Sequence, residues 1–419
     1  MELRKFSLER YKGYAEPTEV ELAPLTILVG ANNSGKTALA QAIQLLAGGL
    51  VSSDQDTSEP LPLESGGIHH GLTFRDLVTG RSVHGWLRMS ATFLKFGREL
   101  SLEATVRNVE SSNRPPQRQI SDWILRCDAQ EVVLHREGLD ERSFHEIRVS
   151  GAEMPPRHVA WRGLLPQRPD GFPEWAERAA DDMKAWTAGV RHLRCPRHFP
   201  SRPLPMPERS PLHIGPHGET TPLALAADDG LREAVDNWYR NVFGVAIDVV
   251  GVGGYFELQV RAYTHEANVR LVQSGRGLSH VLPVAVAAVT ACNAGPGVDI
   301  IEHPEAELHP AAHAHVAELL LDNLAGSARP MIIETHSEMV LLRARRWIAE
   351  GRLPPTDVLV YWVDVEPERG SIVRKIGIDE HGDMDHWPGG VFIENYEEIL
   401  AIRRANRSKA QARCESKSM

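Results

Sequence analysis

The feature that most constrains the fold is an apolar segment followed directly by a glycine-rich loop and a helical segment. Leu25–Val29 is a short apolar run typical of a buried strand, and Gly30-Ala-Asn-Asn-Ser-Gly-Lys-Thr37 follows it. This loop fits the pattern G-x-x-x-x-G-K-[ST]. Such a loop turns backbone N–H groups inward at a helix N-terminus, which favours bound phosphate groups. The sequence therefore predicts a phosphate-binding P-loop within an α/β fold.

Each part of this loop has an expected role. Lys36 would reach the β- and γ-phosphates of a nucleotide, and the Thr37 hydroxyl would bind Mg²⁺. The expected cofactors are therefore ATP and Mg²⁺. The predicted nucleotide-binding residues of the loop are Gly30, Asn32, Asn33, Ser34, Gly35, Lys36, Thr37 and Ala38. The alternative is a glycine-rich turn with an exposed lysine.

Two later apolar strands end in residues suited to the same chemistry. Val298–Glu302 ends in a carboxylate, and we expect Glu302 to hold Mg²⁺ together with Thr37. Met331–Glu334 is followed by Thr335 and His336, and His336 is placed to sense a γ-phosphate. The alternatives are a solvated glutamate at a strand end and a structural histidine.

The order of strands and helices predicts the architecture. Apolar strands alternate with helices after residue 245, which indicates a parallel sheet, and the segments near residues 83–149 indicate an antiparallel β lobe. We predict an N-terminal half with the P-loop (1–110), an inserted lid (111–245), a C-terminal half (246–402) and a basic tail (403–419).

Four motifs together resemble a known family. GANNSGKT, SGRGLSHVLP, IIEHPEAELHP and ETHSE are similar to the motifs of ABC/SMC-type ATPases related to RecF and the OLD proteins. More narrowly, the chain resembles stand-alone bacterial AAA-type ATPases that end in domain of unknown function 3696. FSLERYKGY, HLRCPRHFPSRP and IGIDEHGDMDHWPGGVF are also similar to segments of that group. The resemblance covers both ends and the middle of the chain.

This resemblance implies a P-loop NTPase fold of the ABC/SMC-head type and a homodimer with ATP between two heads. The signature loop of one head, here Gly275, Gly277 and Ser279, would contact the nucleotide held by the other head. His309 falls at the position of the loop that crosses the dimer interface. The resemblance also implies a role in anti-phage defence or DNA maintenance, with a separately encoded effector as a further partner.

His303 departs from the family pattern. The family usually has an acidic or amide residue after the magnesium carboxylate, and in ABC enzymes this glutamate polarises the attacking water. A neutral imidazole can orient water or accept a proton, whereas an imidazolium cannot. We therefore expect a slow ATPase with Lys36, Glu302, His303 and His336 as catalytic residues. The alternatives are an ATP-binding regulatory scaffold with little turnover and, less favoured, the ATPase subunit of a transporter. No glutamine lies between Gln55 and Gln117, where the family's Q-loop is expected.

Composition limits the partners. The formal net charge is −10, so contact with nucleic acid would need local basic patches. Two candidates are the segment Arg191–Arg209 and the tail 403–419. The alternatives for the first are a solvated proline-rich loop or a lining of the ATP pocket. The chain has no apolar run long enough for a bilayer and its four cysteines are widely spaced, so we expect a cytoplasmic protein without a membrane contact.

Two other clusters predict chemistry less well. His309 and His313 have the i,i+4 spacing of helical metal ligands, but Pro310 would start the helix after His309. Asp383 and Asp385 resemble the acidic pair of the nuclease domain of OLD proteins. Too few residues follow His336 for that domain, and Asp379–Asp383 is better interpreted as a hairpin turn.

Overall fold

The computed structural model describes residues 1–51, 59–111, 114–136, 138, 144–167, 171–209, 211, 214–262, 268–324, 327 and 329–387. The predicted basic tail 403–419 and the last part of the range 246–402 lie outside the described residues.

The helices and strands are numbered in chain order. The α-helices are α1 (Lys36–Leu50), α2 (Glu174–Thr187), α3 (Thr221–Ala227), α4 (Asp229–Phe243), α5 (Arg276–Thr290), α6 (Pro310–Leu324) and α7 (Glu338–Ala349). The strands are β1 (Glu2–Glu9), β2 (Thr18–Glu21), β3 (Leu25–Gly30), β4 (Glu64–Ser65), β5 (Ile68–His69), β6 (Trp86–Lys95), β7 (Arg98–Ser111), β8 (Arg114–Cys127), β9 (Gln130–Arg136), β10 (His145–Val149), β11 (Ala152–Arg157), β12 (Trp161–Arg162), β13 (Leu165–Pro166), β14 (Val190–Leu193), β15 (Leu204–Pro205), β16 (Val245–Val252), β17 (Tyr255–Ala262), β18 (Asn268–Arg270), β19 (Val298–Glu302), β20 (Met331–Glu334), β21 (Val358–Glu366) and β22 (Gly370–Ile376). Among the described residues, none of these helices is both long and apolar enough to cross a bilayer.

A six-stranded sheet forms the centre of the fold. Its order is β14-β19-β20-β3-β21-β22, and all neighbours are parallel except β21 and β22. β20 lies between the P-loop strand and the strand that ends in Glu302, and Glu334 is in register with both Leu28 and Glu302. The carboxyl ends of these three strands therefore meet at one edge of the sheet, where ligands bind in open α/β sheets.

The central strands are apolar throughout because both faces of the sheet are covered. Leu28 packs in a core with α1 and the antiparallel sheet, whereas Ile27 and Val29 pack in a second core with α5, α6 and α7. This alternation explains why the run Leu25–Val29 shows no polar position facing outward.

The antiparallel β lobe is an eight-stranded sheet in the order β11-β10-β9-β8-β7-β6-β1-β2. Its strands alternate; in β6, Leu87, Met89, Ala91 and Phe93 are buried between partly exposed neighbours. The predicted α/β fold with a parallel core sheet and an antiparallel β lobe is confirmed.

Strand pairing joins segments that the predicted domain ranges separate. The boundary after residue 110 falls inside β7, which pairs with β8 across it. β14 lies within the predicted lid 111–245, yet it is an edge strand of the central sheet and pairs with β19. The range 111–245 therefore contributes strands to both large sheets, in addition to α2, α3 and α4.

Candidate functional site

The P-loop connects β3 to α1 and has the backbone that its glycines permit. Gly30 and Gly35 have φ angles of 152° and 110°, and a Cβ on Gly30 would lie 2.1 Å from the carbonyl oxygen of Val363. Asn33 is also in the left-handed region, with φ 61°. The residues 31–33 are exposed, so the loop lies open at the N-terminus of α1. A tight loop of this shape presents backbone N–H groups to an anion.

Lys36 lies inside the loop. Its Nζ donates hydrogen bonds to the carbonyl oxygens of Gly30 (3.0 Å) and Ala31 (2.7 Å). Burial lowers the pKa of Lys36, and the nearby Glu334 carboxylate opposes this effect. The ammonium group is therefore held within the phosphate-binding loop by two carbonyl groups, which phosphate oxygens can replace as acceptors.

Thr37 contacts a carboxylate that the sequence did not assign to the site. Its Oγ1 donates a 2.7 Å hydrogen bond to Oε1 of Glu334, the last residue of β20. Glu334 is 2% exposed, and its Oε2 has no hydrogen-bond partner among the described residues. Burial raises the pKa of Glu334 to about 7; the Thr37 hydrogen bond opposes this shift and the charge of Glu302 adds to it.

Glu302 lies at the same edge of the sheet, but other groups hold its oxygens. His192 Nε2 lies 2.9 Å from Oε1, and the Cys195 N–H donates to Oε2 at 3.2 Å. Arg194 Nε lies 3.7 Å from Oε1. Burial would raise the pKa of Glu302, but the hydrogen bond from His192 and the adjacent charges lower it overall. Thr37 thus bonds to Glu334 and not to Glu302, because β20 lies between β3 and β19, and the Mg²⁺ that Thr37 and Glu302 are expected to share stays a prediction.

His303 and His336 form a stacked pair beside the P-loop. Their ring centroids are 4.9 Å apart with an interplanar angle of 9°. His303 Nε2 lies 3.7 Å from Glu334, and Glu305 Oε1 accepts hydrogen bonds from Thr335 Oγ1 (2.8 Å) and His336 N (3.0 Å). Burial lowers the pKa of both imidazoles, so both are largely neutral near pH 7. The two histidines are thus placed together beside buried carboxylates.

Two arginines of the segment Arg191–Arg209 contact β19 and His303 inside the molecule. Arg197 is 3% exposed, and its guanidinium donates to the carbonyl oxygens of Glu302 (2.5 Å) and His303 (3.2 Å). Arg191 forms an ion pair with Asp299 of β19. Only Arg202 and Arg209 of the five arginines are exposed. The prediction that this segment as a whole contacts nucleic acid is therefore wrong for Arg191 and Arg197, since both are engaged inside the molecule.

Two of the three predicted signature residues lie on a separate groove of about 440 Å³, whereas Ser279 is buried and does not line it. Gly275 and Gly277 line it together with Leu308 and His309, and none of the described P-loop residues does. α5 begins at Arg276, so Gly277 and Ser279 lie in its first turn, and the Ser279 hydroxyl donates to Arg276 O. The sequence correctly places the start of α6 at Pro310, directly after His309.

A larger cavity of about 900 Å³ lies beyond His192. It is bordered by the C-terminal half of α1, by β14 and by the segment Ser65–Gly67. His192 therefore contacts Glu302 on one side and lines this cavity on the other. No signal in the sequence predicted it.

The residues at the P-loop fit a Mg²⁺ nucleotide complex. Mg²⁺ prefers oxygen ligands and is usually held by one or two protein groups together with phosphate oxygens and water. Thr37 and the unpartnered oxygen of Glu334 supply such groups, and the Ser34 hydroxyl is likewise buried without a partner. Within the described ranges no group of three or more His, Cys, Asp or Glu side chains could hold a metal by itself. His309 and His313, whose spacing was weighed against the helix start at Pro310, belong to no such group among the described residues.

Comparisons with known proteins match the N-terminal part of the chain. Residues 1–66 match the model of the AAA ATPase domain. No curated protein sequence matches the chain.

Three solved structures are similar to the chain at low sequence identity. One is an SMC head bound to the C-terminal winged-helix domain of ScpA, with TM-score 0.49 and 13% identity over 91% of this chain and 99% of that chain. The second is the SMC head domain from Thermotoga maritima, with TM-score 0.42 and 12% identity over 90% and 100%. The third is an SMC head with an extended coiled coil bound to the C-terminal domain of ScpA from Pyrococcus furiosus, with TM-score 0.45 and 12% identity over 96% and 99%.

Proposed function

We propose that the protein is a Mg²⁺-dependent ATPase of the ABC/SMC-like type that closes as a homodimer around ATP and hydrolyses it slowly. The observation that carries this proposal is the convergence of Lys36, Thr37, Glu334 and the His303–His336 pair at the N-terminus of α1. Few sites other than a nucleotide phosphate site need a lysine, a hydroxyl and buried carboxylates beside an open glycine loop.

Binding exchanges internal hydrogen bonds for bonds to phosphate. The loop N–H groups and the positive end of α1 attract the triphosphate. Lys36 leaves the carbonyl oxygens of Gly30 and Ala31 and donates to the β- and γ-phosphates. Thr37 and the nearby carboxylates would hold Mg²⁺, which would supply positive charge against the triphosphate.

Hydrolysis requires a group that takes a proton from the attacking water. His303 is largely neutral near pH 7 and can accept that proton on a ring nitrogen as the water oxygen bonds to the γ-phosphorus and ADP leaves. His336 is exposed and can donate to a γ-phosphate oxygen. A neutral imidazole with two buried carboxylates nearby activates the attacking water less well than a dedicated glutamate does. ATP turnover is therefore slow.

The second candidate function is a regulatory scaffold that closes around ATP with little turnover. It is favoured by the position of His303, which is stacked on His336 with φ 43°. A non-glycine residue with this backbone is held there by its surroundings. In this second candidate function, ATP acts as a ligand that controls dimerisation.

The partner surface for the second head is the groove beside Gly275 and His309. The N-terminus of α5 opens onto it, which suits contact with a phosphate of the opposite head. A role in anti-phage defence or DNA maintenance with a separate effector extends this proposal, and it depends on the four family-like motifs. Any nucleic-acid contact would use Arg202, Arg209 and the tail 403–419, the last of which lies outside the described residues.

The molar mass in solution tests the proposal. Light scattering with and without ATP and Mg²⁺ should show a dimer only with both, and Lys36→Ala should remain a monomer. Lys184→Ala, which removes an exposed lysine of α2, is the matched control and should dimerise. Phosphate release measured in parallel separates the ATPase from the scaffold, because both dimerise but only the first produces phosphate. An unchanged mass in wild type would contradict both.

A further inference from the structure

A carboxylate that the sequence did not assign to the site lies beside the P-loop. β20 is inserted between the P-loop strand and the strand that ends in Glu302. Glu334 is therefore directly across from Leu28, and its Oε1 accepts the Thr37 hydroxyl at 2.7 Å. Thr37 is the one residue of the loop whose hydroxyl is expected to bind Mg²⁺.

Glu302 and Glu334 differ in how their oxygens are used. Both oxygens of Glu302 face donors, namely His192, the Cys195 N–H and, at 3.7 Å, Arg194. Glu334 has one oxygen on Thr37, while the other is buried without a hydrogen bond among the described residues. A buried polar atom without a partner is costly and calls for a ligand that completes it. Of these two carboxylates, Glu334 is therefore the one with capacity for a cation.

We propose that Glu334, together with Thr37, is a protein ligand of the Mg²⁺ that accompanies ATP, and that Glu302 is a positioning residue. This inference rests on the proposed function and extends it. Without the cation, the Thr37 hydroxyl donates a hydrogen bond to the Glu334 carboxylate. With the cation, the Thr37 and Glu334 oxygens would hold it in place of the hydrogen bond between them. Glu302 keeps the segment His192–Cys195 against the end of β19.

The carboxylates beside the loop make nucleotide affinity depend on Mg²⁺. Glu334, Glu302 and Glu305 place three carboxylates beside the loop, and they repel a triphosphate that arrives without its cation. Glu334 therefore links nucleotide affinity to Mg²⁺, because the cation converts a repelling group into a ligand. Removal of the Glu334 charge should weaken this linkage more than removal of the Glu302 charge.

The test compares ATP affinity with Mg²⁺ and with EDTA in wild type, Glu334→Gln, Glu302→Gln and Glu338→Gln. Glu338 is exposed on the first turn of α7 and is the matched control. In wild type and Glu338→Gln we expect Mg²⁺ to raise ATP affinity. In Glu334→Gln we expect the Mg²⁺-dependent gain to fall by roughly tenfold or more, as for the loss of a metal-site group. In Glu302→Gln the gain should stay within a few-fold of wild type.

Each outcome has a separate meaning. If wild type binds no ATP, the proposed function fails. If wild type binds ATP and Glu334→Gln keeps the full Mg²⁺-dependent gain, only the assignment of Glu334 fails. Glu334→Gln should fold, because glutamine keeps an oxygen for the Thr37 hydroxyl, and thermal unfolding without ligand checks this.

An independent measurement avoids any variant of Glu334. Mn²⁺ replaces Mg²⁺ in Glu302→Gln protein labelled with ¹³C in its glutamate carboxylates, and electron-nuclear double resonance detects carbon atoms bonded to the metal through oxygen. A retained carboxylate coupling with ATP present supports Glu334 as the ligand. Loss of the coupling relative to wild type would assign the ligand to Glu302 and overturn the inference.

Discussion

At the scale of single residues, the site depends on how buried charges are balanced. Lys36, Glu334, Glu302 and Glu305 lie within a small region, and each has a partner that sets its state. Burial lowers the pKa of Lys36 and of the two imidazoles and raises that of Glu334, whereas hydrogen bonds and adjacent charges lower the pKa of Glu302 despite its burial. This balance determines what a bound triphosphate meets.

Replacing His303 with a glutamate should speed ATP hydrolysis. A carboxylate at this position is the usual group that polarises water in the family that the motifs resemble, whereas imidazole is a weaker arrangement here. We expect steady-state phosphate release to rise by roughly tenfold or more, within the range of general-base effects. His84→Glu changes an exposed histidine away from the P-loop and should leave the rate unchanged. A rate that falls or stays constant in His303→Glu would contradict the role given to His303.

A buried histidine of the β lobe should make stability depend on pH. His145 is 2% exposed, and burial lowers its pKa to about 4. The unfolded chain binds this proton near pH 6.5, so the unfolded state binds more protons between pH 6.5 and 4 and stability falls as the pH falls through that window. When the pH falls from 7.5 to 4.5, the free energy of unfolding should decrease by roughly 2 kcal/mol less in His145→Gln than in wild type.

Urea unfolding at the two pH values measures this difference. His84→Gln, at an exposed position, should behave as wild type. Equal losses in wild type and His145→Gln would show that this imidazole carries no part of the acid sensitivity.

At the scale of helices and strands, the sequence predicted individual motifs and elements better than it predicted their positions relative to one another. The motif Gly30–Thr37, the apolar strands ending at Glu302 and Glu334, and the turn at Asp379–Asp383 were predictable because each depends on neighbouring residues. The turn is confirmed: Asp379 Oδ1 accepts from the N–H groups of His381 and Asp383. The start of α5 at Arg276 was less predictable, because it lies within SGRGLS, whose polar and glycine residues obscure a helix N-terminus.

The partners of the site carboxylates could not be predicted. That Thr37 bonds Glu334 follows from β20 lying next to β3, and that His192 bonds Glu302 follows from β14 lying next to β19. Strand order is set by packing of the whole chain, and no local pattern around residues 192 or 334 encodes it. The similarity of HLRCPRHFPSRP to the family pointed to the segment that contacts Glu302, but it did not predict which residues make the contact.

The capping residue of α4 gives a prediction about one element. Asp228 precedes α4, and its Oδ1 accepts the Leu231 N–H at 2.9 Å. Asp228→Ala should lower the free energy of unfolding by about 1 kcal/mol, since an N–H in the first turn loses its acceptor. Glu233→Ala, on the exposed face of the same helix, is the control and should change it much less. Equal effects of the two substitutions in urea unfolding would argue against the capping role.

At the scale of the whole molecule, the two large sheets share segments of the chain. The predicted ranges 1–110 and 111–245 both supply strands to the antiparallel sheet, and β14 extends the central sheet. Arg191, Arg197 and Arg329 tie β14, the segment after it and β19 together through buried hydrogen bonds. The middle of the chain therefore supports the Glu302 end of β19.

Dimerisation can be blocked without touching the P-loop. Gly275 has an ordinary φ of −58°, and a Cβ at this position meets no atom within 4 Å. Gly275→Arg therefore projects a side chain from the groove surface without strain. We expect it to abolish the ATP-dependent dimer in light scattering while ATP still binds the monomer.

Gly230→Arg, at an exposed position in α4, should dimerise as wild type. A normal dimer in Gly275→Arg would contradict the use of this groove as the contact surface between heads.

The central claim is that Gly30–Thr37 and the adjacent carboxylates bind Mg²⁺-ATP, and calorimetric titration of ATP with Mg²⁺ into the purified protein tests it most directly. We predict saturable heat at about one nucleotide per chain, lost in Lys36→Ala because the loop then lacks its cation for the β- and γ-phosphates. No saturable heat in wild type, or equal binding by Lys36→Ala, would contradict the claim.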